Sequence, residues 1–216
     1  MLSAVARTVV PVLGRLTVTT DPDTALAPGS IVAANHSSLA DPGVVLAAVR
    51  RLGVEPVVLA TAGLWRIPLL RGALTREGHV PVHRGTEHAA RALEAAAAAL
   101  AAGRVVVLYP EGRLPLRTDP ADRAPGPFRT GLARLASGGA PVVPLGQAGA
   151  RRISSGSTAK QFAGLLTAPL RRPAVHVHLG APLHLSPDVA TATAEAHAAV
   201  TAAWRTAATH LPPHRR

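Results

Sequence analysis

The chain has 216 residues, 48% of them hydrophobic, which is enough for one domain with a sizeable core. It contains no cysteine, which excludes disulfides and thiolate metal sites and leaves no argument for secretion. Its 23 Lys and Arg against 12 Asp and Glu give a net charge of +11, which favours an anionic partner. Nucleic acid is the least expected anionic partner, because only 2% of the residues are aromatic and the arginines form no recognition motif.

The first 17 residues have the apolar spacing of an amphipathic helix. Its apolar stripe consists of Leu2, Val5, Val9, Val12, Leu13 and Leu16. The segment is too short and too charged to span a bilayer, and it lacks the basic start and long apolar core of a signal peptide. Two interpretations remain open: the helix packs on its own domain, or it rests on an anionic membrane surface. The predicted division is an N-terminal helix (residues 1–17), a domain (18–210) and a tail (211–216).

Beyond residue 30, strand patterns alternate with helix patterns. Apolar runs predict strands over residues 31–34, 56–61, 104–109, 141–146 and 174–180. Helical spacing and end signals predict helices over residues 43–52, 64–74, 87–102, 130–137 and 189–209. Residues 114–128 are predicted to form a loop, and the basic residues 151–172 a mobile surface excursion. This order predicts an α/β fold, a single domain with a mostly parallel, mixed sheet flanked by helices.

A polar stretch, residues 35–42, follows the first of these predicted strands. A helix beginning at Ser37 or Ser38 would place the carboxylate of Asp41 about one turn from His36. A histidine held by a carboxylate is a candidate general base, because the acid fixes its tautomer and stabilises the imidazolium. The simpler alternative is that a serine caps the helix, Asp41 complements its dipole and His36 is a turn residue.

Another polar group follows the short apolar segment at residues 78–83. A strand there would end at Arg84, whose planar guanidinium suits a phosphate or a carboxylate, although an exposed arginine at a strand end is the simpler interpretation. His79 and His83 are expected at the surface. Later in the chain, His176 and His178 form a His-x-His pair, but no third ligand is identifiable, so we expect no metal site.

The stretch Pro110-Glu111-Gly112-Arg113 follows directly on the strand predicted over residues 104–109. That strand and the strand over residues 31–34 belong to one βαβ arrangement, so their carboxyl ends should lie at the same edge of the sheet. Ligands bind at this edge in open α/β sheets. His36 and Glu111 are therefore expected to share a site.

Together these stretches resemble the motifs of the glycerolipid acyltransferases, the 1-acylglycerol-3-phosphate (lysophosphatidic acid) acyltransferase family. Residues 35–41, Asn-His-Ser-Ser-Leu-Ala-Asp, look like the family's His-x4-Asp motif, and residues 78–84 resemble its second block, which ends in arginine. Residues 109–112, Tyr-Pro-Glu-Gly, are similar to its third block, Phe-Pro-Glu-Gly-Thr-Arg-Ser, and residues 142–144 to its fourth. The chain departs from the third block after Gly112, so Arg113 or Arg117 would stand for the family's arginine.

The resemblance implies a glycerol-3-phosphate acyltransferase-like fold and transfer of a fatty acyl group from acyl-CoA or acyl carrier protein to a hydroxyl of a lysophospholipid or glycerophosphate, without a further cofactor. His36 would act as general base and Asp41 would orient its ring. The acceptor's polar head would be held by Arg84, Glu111, Gly112 and Arg113. In this scheme Glu111 accepts a glycerol hydroxyl or fixes an arginine, and backbone N–H groups near the start of the next helix stabilise the oxyanion.

The same resemblance implies a cytoplasmic protein held peripherally on the inner face of the cell membrane, whose anionic surface suits the positive chain. Two other functions stay open. One is a membrane-surface binding protein that keeps the fold without turnover, and the other is an acyl-thioester hydrolase that uses the same base. The sequence contains no Gly-x-Ser-x-Gly, so nothing in it indicates a serine nucleophile on a sharp strand-to-helix turn.

Overall fold

Seven strands and eight α-helices form three layers in the computed structural model, which describes residues 2–83, 88–115 and 121–212. The strands are β1 (Arg15–Thr20), β2 (Ile31–Ala34), β3 (Val57–Thr61), β4 (Val80–Val82), β5 (Val106–Leu108), β6 (Val142–Ala148) and β7 (Ala174–Leu179). The helices are α1 (Leu2–Leu13), α2 (Asp41–Arg51), α3 (Pro68–Arg76), α4 (His88–Ala101), α5 (Gly131–Ala136), α6 (Ala150–Ile153), α7 (Thr158–Arg171) and α8 (Val189–Thr209), and a short 3₁₀ helix covers Ala62–Arg66.

The strands form one sheet in the order β1-β7-β6-β2-β5-β3-β4. Every pairing between neighbours is parallel except that of β6 with β7, which is antiparallel. The predicted mostly parallel, mixed sheet is therefore confirmed. The carboxyl ends of β2 and β5 are adjacent, as the βαβ pattern required, because these two strands pair directly.

Helices cover both faces of the sheet, which explains why the central strands are apolar throughout. One core contains side chains of α1, α2, α6 and α7, and the other contains side chains of α4, α5 and α8. Small residues allow close packing in both cores. At Gly146 in β6 a Cβ atom would clash with the backbone of Ala203 and Trp204 in α8, so this helix lies directly on the strand.

The predicted N-terminal helix is too long. It ends at Leu13, and Arg15 already begins β1, which pairs with β7. Gly14 allows the change of direction, because a Cβ atom there would lie 2.9 Å from the carbonyl oxygen of Pro173. The boundary at residue 17 is therefore wrong, and residues 15–17 belong to the sheet.

The packing face of α1 also differs from the predicted stripe. Ala6 and Val10 are buried, and α1 contacts α2. A Cβ atom on Gly43 of α2 would lie 3.6 Å from Val10, which is ordinary van der Waals contact, so the two helices pack directly on one another here. Three predicted stripe residues point outward and are exposed: Val5, Val9 and Val12.

Two further segments differ from the expectation. The surface excursion expected over residues 151–172 contains α6 and α7, and part of it is buried in the core. The helix expected over residues 64–74 is divided into the 3₁₀ helix and α3, because Pro68 begins a new helix after the extended residue Ile67. The remaining predicted strands and helices are present with ends shifted by a few residues.

His79 is buried, not exposed as expected. Its Nδ1 accepts a hydrogen bond of 3.0 Å from the backbone N–H of Val58. Burial lowers the pKa of the His79 imidazole, and the nearby Glu77 carboxylate opposes that shift. His79 is thus a structural residue that joins the start of β4 to β3.

Candidate active site

His36 and Asp41 lie side by side in the loop that follows β2. The Nδ1 atom of His36 is 2.9 Å from Oδ2 of Asp41. The imidazole is 11% exposed, whereas the carboxylate is fully buried. Because Nδ1 is occupied by the carboxylate, Nε2 is the ring nitrogen left to exchange a proton with a bound molecule.

The carboxylate of Asp41 also organises the loop between the two residues. Helix α2 begins at Asp41, not at Ser37 or Ser38, so the side chain folds back over the residues before it. Its Oδ2 accepts hydrogen bonds from the backbone N–H groups of Ser37 and Ser38, the latter at 2.8 Å. Because Asp41 already uses both groups, they cannot form the oxyanion site that the sequence suggested.

Tyr109, the residue after β5, packs on one face of the His36 ring, whose edge is bonded to Asp41. The two rings are stacked, with centroids 4.4 Å apart and planes inclined by 28°. Burial raises the pKa of the Tyr109 hydroxyl well above its usual value, and the charge of Asp41 adds to the shift. The imidazole is therefore fixed between an aromatic ring and a buried carboxylate.

Glu111 lies beside His36, but both of its oxygens bind backbone groups. Oε1 accepts a hydrogen bond of 2.7 Å from the N–H of His36, and Oε2 accepts one of 2.9 Å from the N–H of Gly126. Burial raises the pKa of the Glu111 carboxyl, and these hydrogen bonds oppose the rise. These two contacts make Glu111 a link between the loop of His36 and the segment of Gly126. Its contact with a glycerol hydroxyl or an arginine stays a prediction.

The comparisons with known proteins identify a family and a fold. The model of the Acyltransferase family matches residues 15–147, which is more than half of the chain and includes the loop after β2 and the turn after β5. The chain belongs to the Acyltransferase family. This acyltransferase also resembles the crystal structure of the 1-acyl-sn-glycerophosphate (LPA) acyltransferase PlsC from Thermotoga maritima, with a TM-score of 0.72 and 18% identity over 96% of this chain and 78% of that chain. At this identity the likeness shows the fold. No curated protein matches the sequence.

The acyltransferase has several cations near the turn after β5. Arg113 is exposed. Gly112 has a φ of 71°, and a Cβ atom there would lie 2.8 Å from the side chain of Arg129, which therefore packs over the glycine. Arg129 was not predicted to lie here, because it is distant from Arg113 in the sequence. Arg84 and Arg117 lie outside the described residues.

Two residues that were not predicted, Arg151 and Ser154, bind the loop of His36 in this acyltransferase. Arg151 in α6 is buried and donates a hydrogen bond of 2.7 Å to the carbonyl oxygen of Ser37. The hydroxyl of Ser38 donates one of 2.6 Å to the carbonyl oxygen of Ser154. These contacts join a segment predicted to be a surface excursion to the loop that carries His36.

A second set of hydrogen bonds joins the residue at the start of the loop, Asn35, to β6. The Nδ2 of Asn35 donates to the carbonyl oxygen of Gln147 at 3.0 Å, and Oδ1 of Asn35 accepts from the N–H of Gln147 at 2.7 Å. The side chain of Gln147 in turn donates to the carbonyl oxygen of Asn35 at 2.9 Å. Both residues are buried, so these bonds fix the direction in which the chain leaves β2.

His176 and His178 lie on β7, away from the loop of His36. Both nitrogens of His176 contact threonine hydroxyls of β1, at 2.6 Å for Thr17 and 2.9 Å for Thr19. The His176 ring is also stacked on that of His210, with centroids 4.2 Å apart. Burial lowers the pKa of His176 to about 4, so this histidine acts as a neutral hydrogen-bonding residue between two strands.

Proposed function

We propose that the chain transfers a fatty acyl group from a thioester, acyl-CoA or acyl carrier protein, to a hydroxyl of lysophosphatidic acid or a related lysophospholipid or glycerophosphate. The observation that carries the proposal is the contact between His36 Nδ1 and the buried carboxylate of Asp41. It leaves Nε2 as the nitrogen that can act as a base.

The proposed reaction needs no covalent enzyme intermediate. Nε2 of His36 takes the proton of the acceptor hydroxyl while that oxygen attacks the thioester carbonyl. The tetrahedral adduct then collapses, the carbon–sulfur bond breaks, and the imidazolium returns the proton to the leaving thiolate. Asp41 stabilises the imidazolium between the two proton transfers because its charge is buried 2.9 Å away.

The acceptor's phosphate requires a cationic pocket near the base. Arg113 and Arg129 are exposed residues beside the turn after β5, and we propose that they bind this phosphate through their guanidinium groups. Gly112 supports the proposal because it leaves room for the Arg129 side chain. Arg84 stays a prediction from the sequence for the same role.

The proposed acceptors are amphiphiles, so the protein should work at a lipid surface. Within the described residues, no helix is long and apolar enough to cross a bilayer. We propose peripheral attachment to the inner face of the cell membrane, since exposed valines on α1 and a net charge of +11 suit an anionic leaflet.

The decisive experiment measures thiol release from long-chain acyl-CoA and from acyl carrier protein, with and without lysophosphatidic acid. We expect acceptor-dependent release, and a fall of about 10²–10⁴-fold in the His36→Ala variant. His184→Ala is the matched control, because His184 is exposed, and it should retain wild-type turnover.

Each other result has a defined meaning. Release that does not depend on an acceptor would identify a hydrolase with the same base. An absence of release with both donors and a panel of lysophospholipids and glycerophosphates would leave a lipid-binding protein. Full activity of His36→Ala would remove the histidine from the chemistry.

A second prediction concerns Glu111, whose contacts make it a positioning residue. Glutamine in its place can accept from one of the two N–H groups but not from both, which leaves a buried donor unpaired at a cost of about 1–3 kcal/mol. We expect Glu111→Gln to lower kcat by about tenfold with little change in the KM of the acceptor.

Steady-state kinetics with varied acceptor separate this role from direct substrate binding. If Glu111 bound the acceptor, the substitution would chiefly raise KM. Glu94→Gln is the matched control, because Glu94 is exposed on α4 and should show neither effect.

A further inference from the structure

Helix α7 presents large apolar side chains to the outside of the molecule. Phe162, Leu166 and Leu170 are 62%, 81% and 88% exposed. Their spacing of four residues places them along one stripe of the helix. Ala168 and Leu165 on the opposite side pack into the core, so the helix is held in place while its outer stripe is uncovered. Contiguous exposed apolar surface of this kind marks an interaction site.

Helix α1 lies beside α7 and also carries exposed apolar side chains. The two helices contact one another, and the side chain of Arg172, which ends α7, donates a hydrogen bond of 3.2 Å to the carbonyl oxygen of Pro11. The exposed residues of α1, Val5, Val9 and Val12, also share one side of their helix. Two neighbouring helices thus carry uncovered apolar stripes.

The charges around these stripes are positive. Neither α1 nor α7 contains an acidic residue. Lys160, the only lysine in the sequence, is exposed at the start of α7, and Arg171 and Arg172 are exposed at its end. An apolar stripe bordered by cations is the pattern of a helix that lies in the interface of an anionic bilayer. A second copy of the chain would instead bring like charges together.

We propose that α7, together with α1, forms a docking surface for an anionic lipid bilayer. Phe162, Leu166 and Leu170 enter the acyl boundary, and Lys160 and Arg172 contact lipid headgroups. The proposal deepens the proposed function and rests on it for its purpose, the supply of a membrane-borne acceptor. Helix α7 follows Ser154, whose carbonyl oxygen accepts a hydrogen bond from Ser38 in the loop of His36, so the docking helix and this loop are joined.

The test is flotation of the full-length protein with vesicles of phosphatidylcholine that contain phosphatidylglycerol. We expect the triple variant Phe162→Ser, Leu166→Ser, Leu170→Ser to partition at least about tenfold more weakly than the wild type. Leu166→Ser alone should weaken binding measurably. Leu52→Ser, an exposed leucine at the end of α2, is the matched control and should bind like the wild type.

Thermal unfolding followed by circular dichroism should show every variant folded at the temperature of the assay. The Tm should change least for Leu166→Ser, whose side chain is 81% exposed, and serine lowers helix propensity only slightly at each position. Vesicle binding by the triple variant equal to that of the wild type would overturn the proposal. So would a triple variant that loses only self-association in analytical ultracentrifugation, because the occupant would then be a second copy. Acyl transfer by the wild type in detergent is measured separately. If transfer is absent but the triple variant still binds vesicles more weakly, the proposed acyl transfer is refuted and the proposed docking surface is supported.

Discussion

Asp41→Asn is expected to lower kcat on the order of 10³-fold while the protein remains folded. The asparagine oxygen can take the place of Oδ2 and accept the bonds from His36, Ser37 and Ser38. Its amide can donate to the Ser37 hydroxyl, which Oδ1 of Asp41 now contacts at 3.3 Å. What the variant loses is the negative charge that stabilises the imidazolium.

Comparison of three variants by steady-state kinetics and thermal unfolding tests this expectation. Asp41→Ala should lose stability as well as activity, because it leaves the N–H groups of Ser37 and Ser38 without their acceptor. Asp23→Asn removes an exposed carboxylate and should be neutral in both measurements. A kcat for Asp41→Asn equal to that of the wild type would show that the charge of Asp41 does not assist His36 in catalysis.

Gly146→Ala should be the most destabilising of the conservative substitutions considered. The added methyl would clash with the backbone of Ala203 and Trp204, and backbone cannot move aside as the end of a flexible side chain can. We expect a loss of about 3 kcal/mol, which corresponds to a fall in Tm of about 6–12 °C for a chain of this length.

Gly138→Ala provides the control. A Cβ atom at Gly138 has no heavy atom within 4 Å, and its φ is not in the left-handed region. That substitution should be neutral or stabilise by a few tenths of a kcal/mol. Equal melting temperatures for the two variants would show that α8 can shift on the sheet, contrary to the tight contact described.

The sequence predicted those elements whose signals are local. The run of apolar residues in β2 and β5 requires cover on both faces, and Asp188 accepts a hydrogen bond of 2.8 Å from the N–H of Thr191 at the start of α8, whose position was predicted. The proximity of His36 and Glu111 followed from the rule that the ends of parallel strands meet at one edge, and that of His36 and Asp41 from their short separation in the sequence.

What the sequence could not predict depends on contacts between distant segments. The apolar residues at the start of strand β1 continue the helical spacing of α1, which is why the predicted helix was too long. The strand forms because it pairs with β7, more than 150 residues away in the sequence. Arg151 is buried because its guanidinium meets the carbonyl oxygen of Ser37, and nothing in a basic, serine-rich segment indicates that partner. The contact of Glu111 with Gly126 is likewise not indicated by the sequence.

The double contact of Glu111 has a consequence for anyone who wishes to change the acceptor by exchanging the segment at residues 121–129. That segment cannot be grafted as an independent part, because its Gly126 N–H and the N–H of His36 share one carboxylate. A Cβ atom at Gly126 would lie 3.2 Å from Oε2, so even alanine requires the carboxylate to shift. A transplanted loop must therefore offer a backbone N–H at this point, which excludes proline, and glycine fits there with the least displacement of the carboxylate.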